Sequence, residues 1–174
     1  GCQMRKILGF LCVICMALSL VGCSALDGNI DTLLSPPAPS GELRNVWQVL
    51  QKSAGADITL KYPSSGEYRS AIIEKDLNSD GTNEAVAFYS TTLDNVTTMH
   101  ISFIAKNGDE WLSGGDASLV ATGVERVEFA DINGDGIDEI VVSWNVYSTV
   151  EKSVGVYSAD GSGLTTRILE SQTA

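Results

Sequence analysis

The spacing of apolar residues changes twice along this chain. Residues 7–21 (I-L-G-F-L-C-V-I-C-M-A-L-S-L-V) are almost wholly apolar or small. Leu43, Val46, Trp47 and Leu50 then fall at i, i+3, i+4 and i+7, the stripe of one helix face. Ser40 or Gly41 is placed to cap that helix and Gly55 to end it. From Asp57 onward the period is two. Ile58-Thr59-Leu60-Lys61-Tyr62 alternates and stops at Pro63. Val127 and Phe129 alternate with polar residues, as do Ile140, Val142, Trp144 and Val146. One apolar face at period two is what a half-buried antiparallel strand requires. The pattern predicts a mainly β chain preceded by one short helix.

The β region repeats itself. Ile72 matches Val127, Asp76 matches Asp131, Glu84 matches Glu139, Ile101 matches Val156 and Gly108 matches Gly163, always 55 residues apart and without a gap. Each unit reads as strand, acidic loop, strand, turn, strand, glycine turn, strand. In the second copy the strands are expected at about 125–130, 140–147, 152–158 and 164–169. Four short strands in roughly 50 residues is the content of one propeller blade. The expected fold is therefore two tandem four-stranded antiparallel blade-like repeats, 66–122 and 123–174, behind a helix and leading strand at 42–65. Two blades cannot close a ring, so the chain is read as part of a larger β-propeller, with a small open sandwich as the other solution.

The two acidic loops carry the chemistry. Asp76-Leu77-Asn78-Ser79-Asp80-Gly81-Thr82-Asn83-Glu84 and Asp131-Ile132-Asn133-Gly134-Asp135-Gly136-Ile137-Asp138-Glu139 both fit D-x-N-x-D-G-x-x-E. Calcium takes six to eight hard oxygen ligands in flexible geometry. Positions one, three and five turn alternate side chains toward one point, and glycine at position six permits the sharp turn. The carbonyl of Thr82 or Ile137 follows, then the carboxylate of Glu84 or Glu139. An EF-hand is excluded, because its position twelve is Glu, whereas here it is Ala87 or Val142 and a strand follows. A metal-free Asx-turn is the alternative for each loop.

A calcium loop feeding an apolar strand (E-A-V-A-F-Y and E-I-V-V-S-W) resembles the FG-GAP or VCBS-type repeat, the blade of integrin-like β-propellers, over about residues 66–169. The resemblance implies one Ca2+ site at Asp76, Asn78, Asp80, Thr82 and Glu84, and a second at Asp131, Asn133, Asp135, Ile137 and Glu139. The chain departs from the pattern in having Glu where Asp is commoner at position nine. It also lacks the Phe-Gly and Gly-Ala-Pro signatures.

The amino-terminal run changes the setting. Met4-Arg5-Lys6 is a short basic start, and the apolar stretch after it is of signal-peptide length and short for a membrane span. It ends in Leu20-Val21-Gly22-Cys23, which resembles the bacterial lipobox, whose cysteine is acylated and becomes the mature terminus. Residues 1–22 are thus expected to be a lipoprotein signal peptide. Cys23 is expected to carry the lipid, and residues 23–41, with Pro36, Pro37 and Pro39, to form a semi-rigid tether. The expected location is the exported face of a cell membrane. Cys2, Cys12 and Cys15 would leave with the signal, so no disulfide can stiffen the mature domain.

Charge narrows the partners. The first 22 residues hold Arg5 and Lys6 and no acid, which leaves 9 basic and 22 acidic residues and a net charge of −13. Such a surface repels nucleic acid. His100 is the single histidine, so a His-dependent triad has one candidate base. Neither a phosphate-cradling glycine loop nor a zinc spacing is present. Trp47, Trp111 and Trp144 are read as packing residues rather than a sugar-stacking face. The expectation is an interaction module for a protein or glycan, without catalysis of its own. The alternatives are an accessory part of a larger envelope protein, or the non-catalytic part of an enzyme extending past residue 174.

Overall fold

A computed structural model of the protein describes residues 41–173 except 56, 148–150 and 161–162. The expected signal peptide, the expected lipidation site at Cys23 and nearly all of the expected tether lie outside the described residues. The predicted helix is α1, Glu42–Ala54. Gly41 (φ 64°) and Gly55 (φ 97°) bound it, both in the left-handed region that a side chain resists. Glu42 in its first turn and Lys52 in its last complement the helix dipole.

Among the described residues nine strands follow: β1 Thr59–Leu60, β2 Ile72–Lys75, β3 Glu84–Leu93, β4 Val96–Asn107, β5 Glu110–Val120, β6 Gly123–Ala130, β7 Glu139–Asn145, β8 Glu151–Asp160 and β9 Gly163–Thr173. They form two antiparallel sheets, and neither closes into a barrel. In the first sheet β3, β4 and β5 run side by side, and β1 and β2 lie end to end along the free edge of β3. The second sheet is the meander β6-β7-β8-β9. Each expected repeat is thus one four-stranded meander. The second-copy strands match their predicted spans within a few residues. The leading strand is shorter than the alternation suggested, because only Thr59 and Leu60 pair with β3.

Strand register explains how the layers stack. On β3, Val86 and Phe88 point into the core shared with the second sheet, beside Ile140, Val142 and Trp144. The alternate residues Ala85, Ala87 and Tyr89 point the other way, onto Val46 and Leu50 of α1. Burial on both faces is why E-A-V-A-F-Y reads as a continuous apolar run. In the repeat alignment Ile140, Val142 and Trp144 are the counterparts of Ala85, Ala87 and Tyr89. The second sheet therefore meets the first with the same face that the first sheet turns to the helix. The two repeats stack head to tail.

The outer face of the second sheet carries the counterparts of the aromatic layer. There Phe88 is replaced by Ser143 and Phe103 by Ser158. Elsewhere the sheets press close. A Cβ on Gly115 of β5 would lie 2.8 Å from the Leu164 nitrogen of β9. The segment before β2 sews the layers together, as the Ser64 and Ser65 N–H groups donate to Val124 and Glu125 carbonyls of β6.

Candidate functional site

The acidic loops join β2 to β3 and β6 to β7, and six internal bonds recur in both copies, to which the second loop adds the Gly134 N–H donated to Asp131 at 2.7 Å. The Glu84 carboxylate accepts the Leu77 N–H (3.0 Å) and the Asn78 Nδ2 (3.3 Å). Glu139 accepts the Ile132 N–H (2.8 Å) and the Asn133 Nδ2 (3.1 Å). Asp76 accepts the N–H groups of Asp80 and Gly81, as Asp131 does those of Asp135 and Gly136. Asn78 Oδ1 accepts the Asp80 N–H at 2.9 Å, and Asn133 Oδ1 the Asp135 N–H at 2.9 Å. Thr82 and Ile137 enter through their N–H groups, donated to Asp80 and Asp135. Positive φ recurs at position four (Ser79, Gly134) and at position six (Gly81, Gly136). Six equivalent bonds in two loops of matched sequence indicate that the motif, not its surroundings, sets the loop shape.

Position nine differs from the others. Glu84 and Glu139 are only 4% and 3% exposed. Burial pushes the Glu84 carboxyl above its usual range. The Leu77 N–H opposes this, and the nearby charges of Asp80 and Asp76 add to it. Three acidic groups therefore feel one another across the first loop.

The loops also touch each other. The Asp138 N–H donates to the Leu77 carbonyl at 3.1 Å, and Lys75 Nζ lies 3.2 Å from Asp138 Oδ2. Both loops thus occupy one end of the stack. A cleft of about 380 Å³ opens beside the first, lined by Asn78, Asp80, Glu84, Lys106 and Leu112 among others.

Among the described residues no three His, Cys, Asp or Glu side chains converge as a metal-binding group. The loop carboxylates face backbone N–H groups instead. The donor set nonetheless suits a hard cation, being all oxygen. A carboxylate oxygen that accepts one N–H keeps a second lone pair.

A second polar cluster escaped the sequence reading. Tyr89, Thr91, His100, Ser102 and Asp116 meet on the helix-facing side of the first sheet. The Tyr89 hydroxyl donates to Asp116 at 2.7 Å, Ser102 Oγ at 3.0 Å, and His100 Nδ1 lies 3.2 Å from the same carboxylate. Burial raises the Asp116 carboxyl, but the bonds from His100, Tyr89 and Ser102 outweigh it and leave the group below its usual range. The tryptophans pack as expected: Trp111 and Trp144 are buried, and Trp47 lies against the helix-side core.

No protein-family profile, curated protein or solved structure matches this chain. Among the described residues no helix is long and apolar enough to cross a membrane.

Proposed function

We propose that this is an exported, lipid-anchored, calcium-binding repeat protein of the cell envelope that serves as an interaction module for a protein or glycan. The observation that carries the calcium reading is that six internal bonds recur in both loops, each placing two aspartates and an asparagine around one turn. Asp76, Asn78, Asp80 and the Thr82 carbonyl would hold one ion, with Glu84 bracing or completing the set. Asp131, Asn133, Asp135, Ile137 and Glu139 would do the same in the second loop. Bound calcium would supply positive charge that offsets the carboxylate repulsion. In a mature chain without disulfides it acts as a staple.

The blade reading draws support from the head-to-tail stacking, since a propeller repeats one sheet against the next. One observation bears on the helix side of the stack. Helix α1 occupies the face on which a preceding blade would stack. On the outer face of the second sheet Ser143 and Ser158 stand where the first sheet has Phe88 and Phe103, while Val141, Val154 and Val156 keep that face partly apolar.

Calcium and chelator melts test the reading. At calcium about a hundred times Kd, each site adds about 2.7 kcal/mol, or roughly 5–10 °C in Tm for a domain of this size. A melting temperature indifferent to both additions removes the metal from the account. Palmitate labelling that is lost in Cys23→Ser tests the anchor. A glycan and protein array probed with the calcium-loaded chain tests the interaction role, and a clean blank favours an accessory part of a larger assembly.

A further inference from the structure

The polar cluster on the first sheet has the connectivity of a nucleophile, base and orienting acid. Thr91 Oγ1 lies 2.9 Å from His100 Nε2, and His100 Nδ1 lies 3.2 Å from Asp116 Oδ1. Chemistry fixes the proton positions. A carboxylate only accepts, so Nδ1 carries the hydrogen of a neutral ring, and Nε2 accepts from the Thr91 hydroxyl. Tyr89 and Ser102 both donate to the other oxygen of Asp116 and hold it in place. The imidazole is stacked on the Tyr89 ring, 4.5 Å between centroids and 4° from parallel, which fixes its plane.

This cluster is not a by-product of the repeat. Tyr89, Thr91, His100 and Ser102 correspond to Trp144, Val146, Gly155 and Tyr157 in the second copy. Those counterparts belong to the face that the first sheet covers. In the first copy the same face extends past the end of α1, and there it borders a cavity of about 330 Å³ walled by Ser53, Ala54, Ser113 and Gly115.

We propose that Thr91, His100 and Asp116 form an acyl-transfer site that cleaves small carboxylic esters, a function beyond the calcium-loop module and independent of it. His100 Nε2 takes the Thr91 proton as Oγ1 bonds to the ester carbonyl carbon. The ester C–O bond breaks, and the leaving alcohol takes that proton from His100. Water, deprotonated by His100, then attacks the acyl-threonine. The carboxylic acid departs and the Thr91 hydroxyl regains its proton. Asp116 positions the ring and stabilises its charged form. Backbone N–H groups of β3 and β4 around Thr91 lie in the strand ladder, so water in the open cavity solvates the developing oxyanion. The expected gain is accordingly that of general-base catalysis without an oxyanion hole, on the order of 10²-fold.

The test incubates the full chain with p-nitrophenyl acetate, follows p-nitrophenolate release and maps the acetylated residue by mass spectrometry. The expected result is acetyl on Thr91 and release about a hundredfold slower in Thr91→Ala. Thr91→Ser, which keeps the hydroxyl, should retain acetylation at position 91. Asp116→Asn, which favours the wrong tautomer, should slow it. Release as fast in Thr91→Ala as in the parent chain, or acetyl on lysines alone, overturns the proposal and leaves the cluster a structural brace.

Discussion

The Asp138 N–H of the second acidic loop donates to the Leu77 carbonyl of the first across 3.1 Å. Two loops distant in sequence are therefore bonded to each other, and what reshapes one is felt by the other. Asp76→Ala, which removes the hub of the first loop, should also weaken calcium at the second loop by severalfold, within the usual range of coupling between sites. Calorimetric titration of that variant beside Asp131→Ala checks this. Unchanged affinity at the intact loop would show that the two are independent.

The ion pair between Lys75 and Asp138 contributes much less. Both side chains are about a third exposed, and such pairs contribute about 0.2–1 kcal/mol. Lys75→Met should shift a urea midpoint only slightly. A large loss would mean that the contact between the loops depends on this charge.

Glu84 is the opposite case. Its carboxylate is buried and satisfies the Leu77 N–H and the Asn78 amide. Glu84→Ala leaves both donors without that partner and should cost about 1–3 kcal/mol, read from denaturant unfolding in chelator. Its carboxyl is raised in the fold, so the folded state holds that proton more tightly than the unfolded chain. In calcium-free protein this contribution to stability is present below the unfolded pKa and is lost as pH rises through the folded one.

Asp116 titrates in the other sense. Its carboxyl lies below the usual range in the folded state. Stability from it is present above the unfolded pKa and is lost as pH falls through the folded one. Melting followed from about pH 5 to about pH 2 should show a smaller loss in Asp116→Asn than in the parent chain. Equal losses would mean that the His100, Tyr89 and Ser102 bonds do not favour the charged form.

Phe88 and Leu50 test the layering. Phe88 fills the core between the sheets, and Leu50 the core between α1 and the first sheet. Phe88→Ala should cost about 3–5 kcal/mol and Leu50→Ala about 2–5 kcal/mol. If the three layers fold as one unit, helix and tryptophan signals should melt together in both variants. Early loss of helix signal in Leu50→Ala would show that α1 is a separable cap.

Much of this fold is legible in the sequence because the repeat is local. The strand before each loop, the loop and the strand after it carry their own periodicity and turn residues, so the meanders emerge without knowledge of their packing. The stacking is harder to read. Ala85, Ala87 and Tyr89 bury under α1, whereas their counterparts Ile140, Val142 and Trp144 bury under the other sheet. A one-dimensional pattern does not say which partner covers a face. The His100 cluster is hidden for a related reason. Its five residues span positions 89 to 116 and meet only through the β3–β4–β5 register. Polar residues at both 89 and 91, and at both 100 and 102, on strands otherwise rich in apolar residues were the available signal.

Calcium binding by the two loops is the central claim, and isothermal titration of the full chain with calcium measures it most directly. The account predicts two ions bound per chain, one in Asp76→Ala and one in Asp131→Ala, and none when both substitutions are combined. A parent chain that binds no calcium, or that binds the same number of ions after both substitutions, would contradict it.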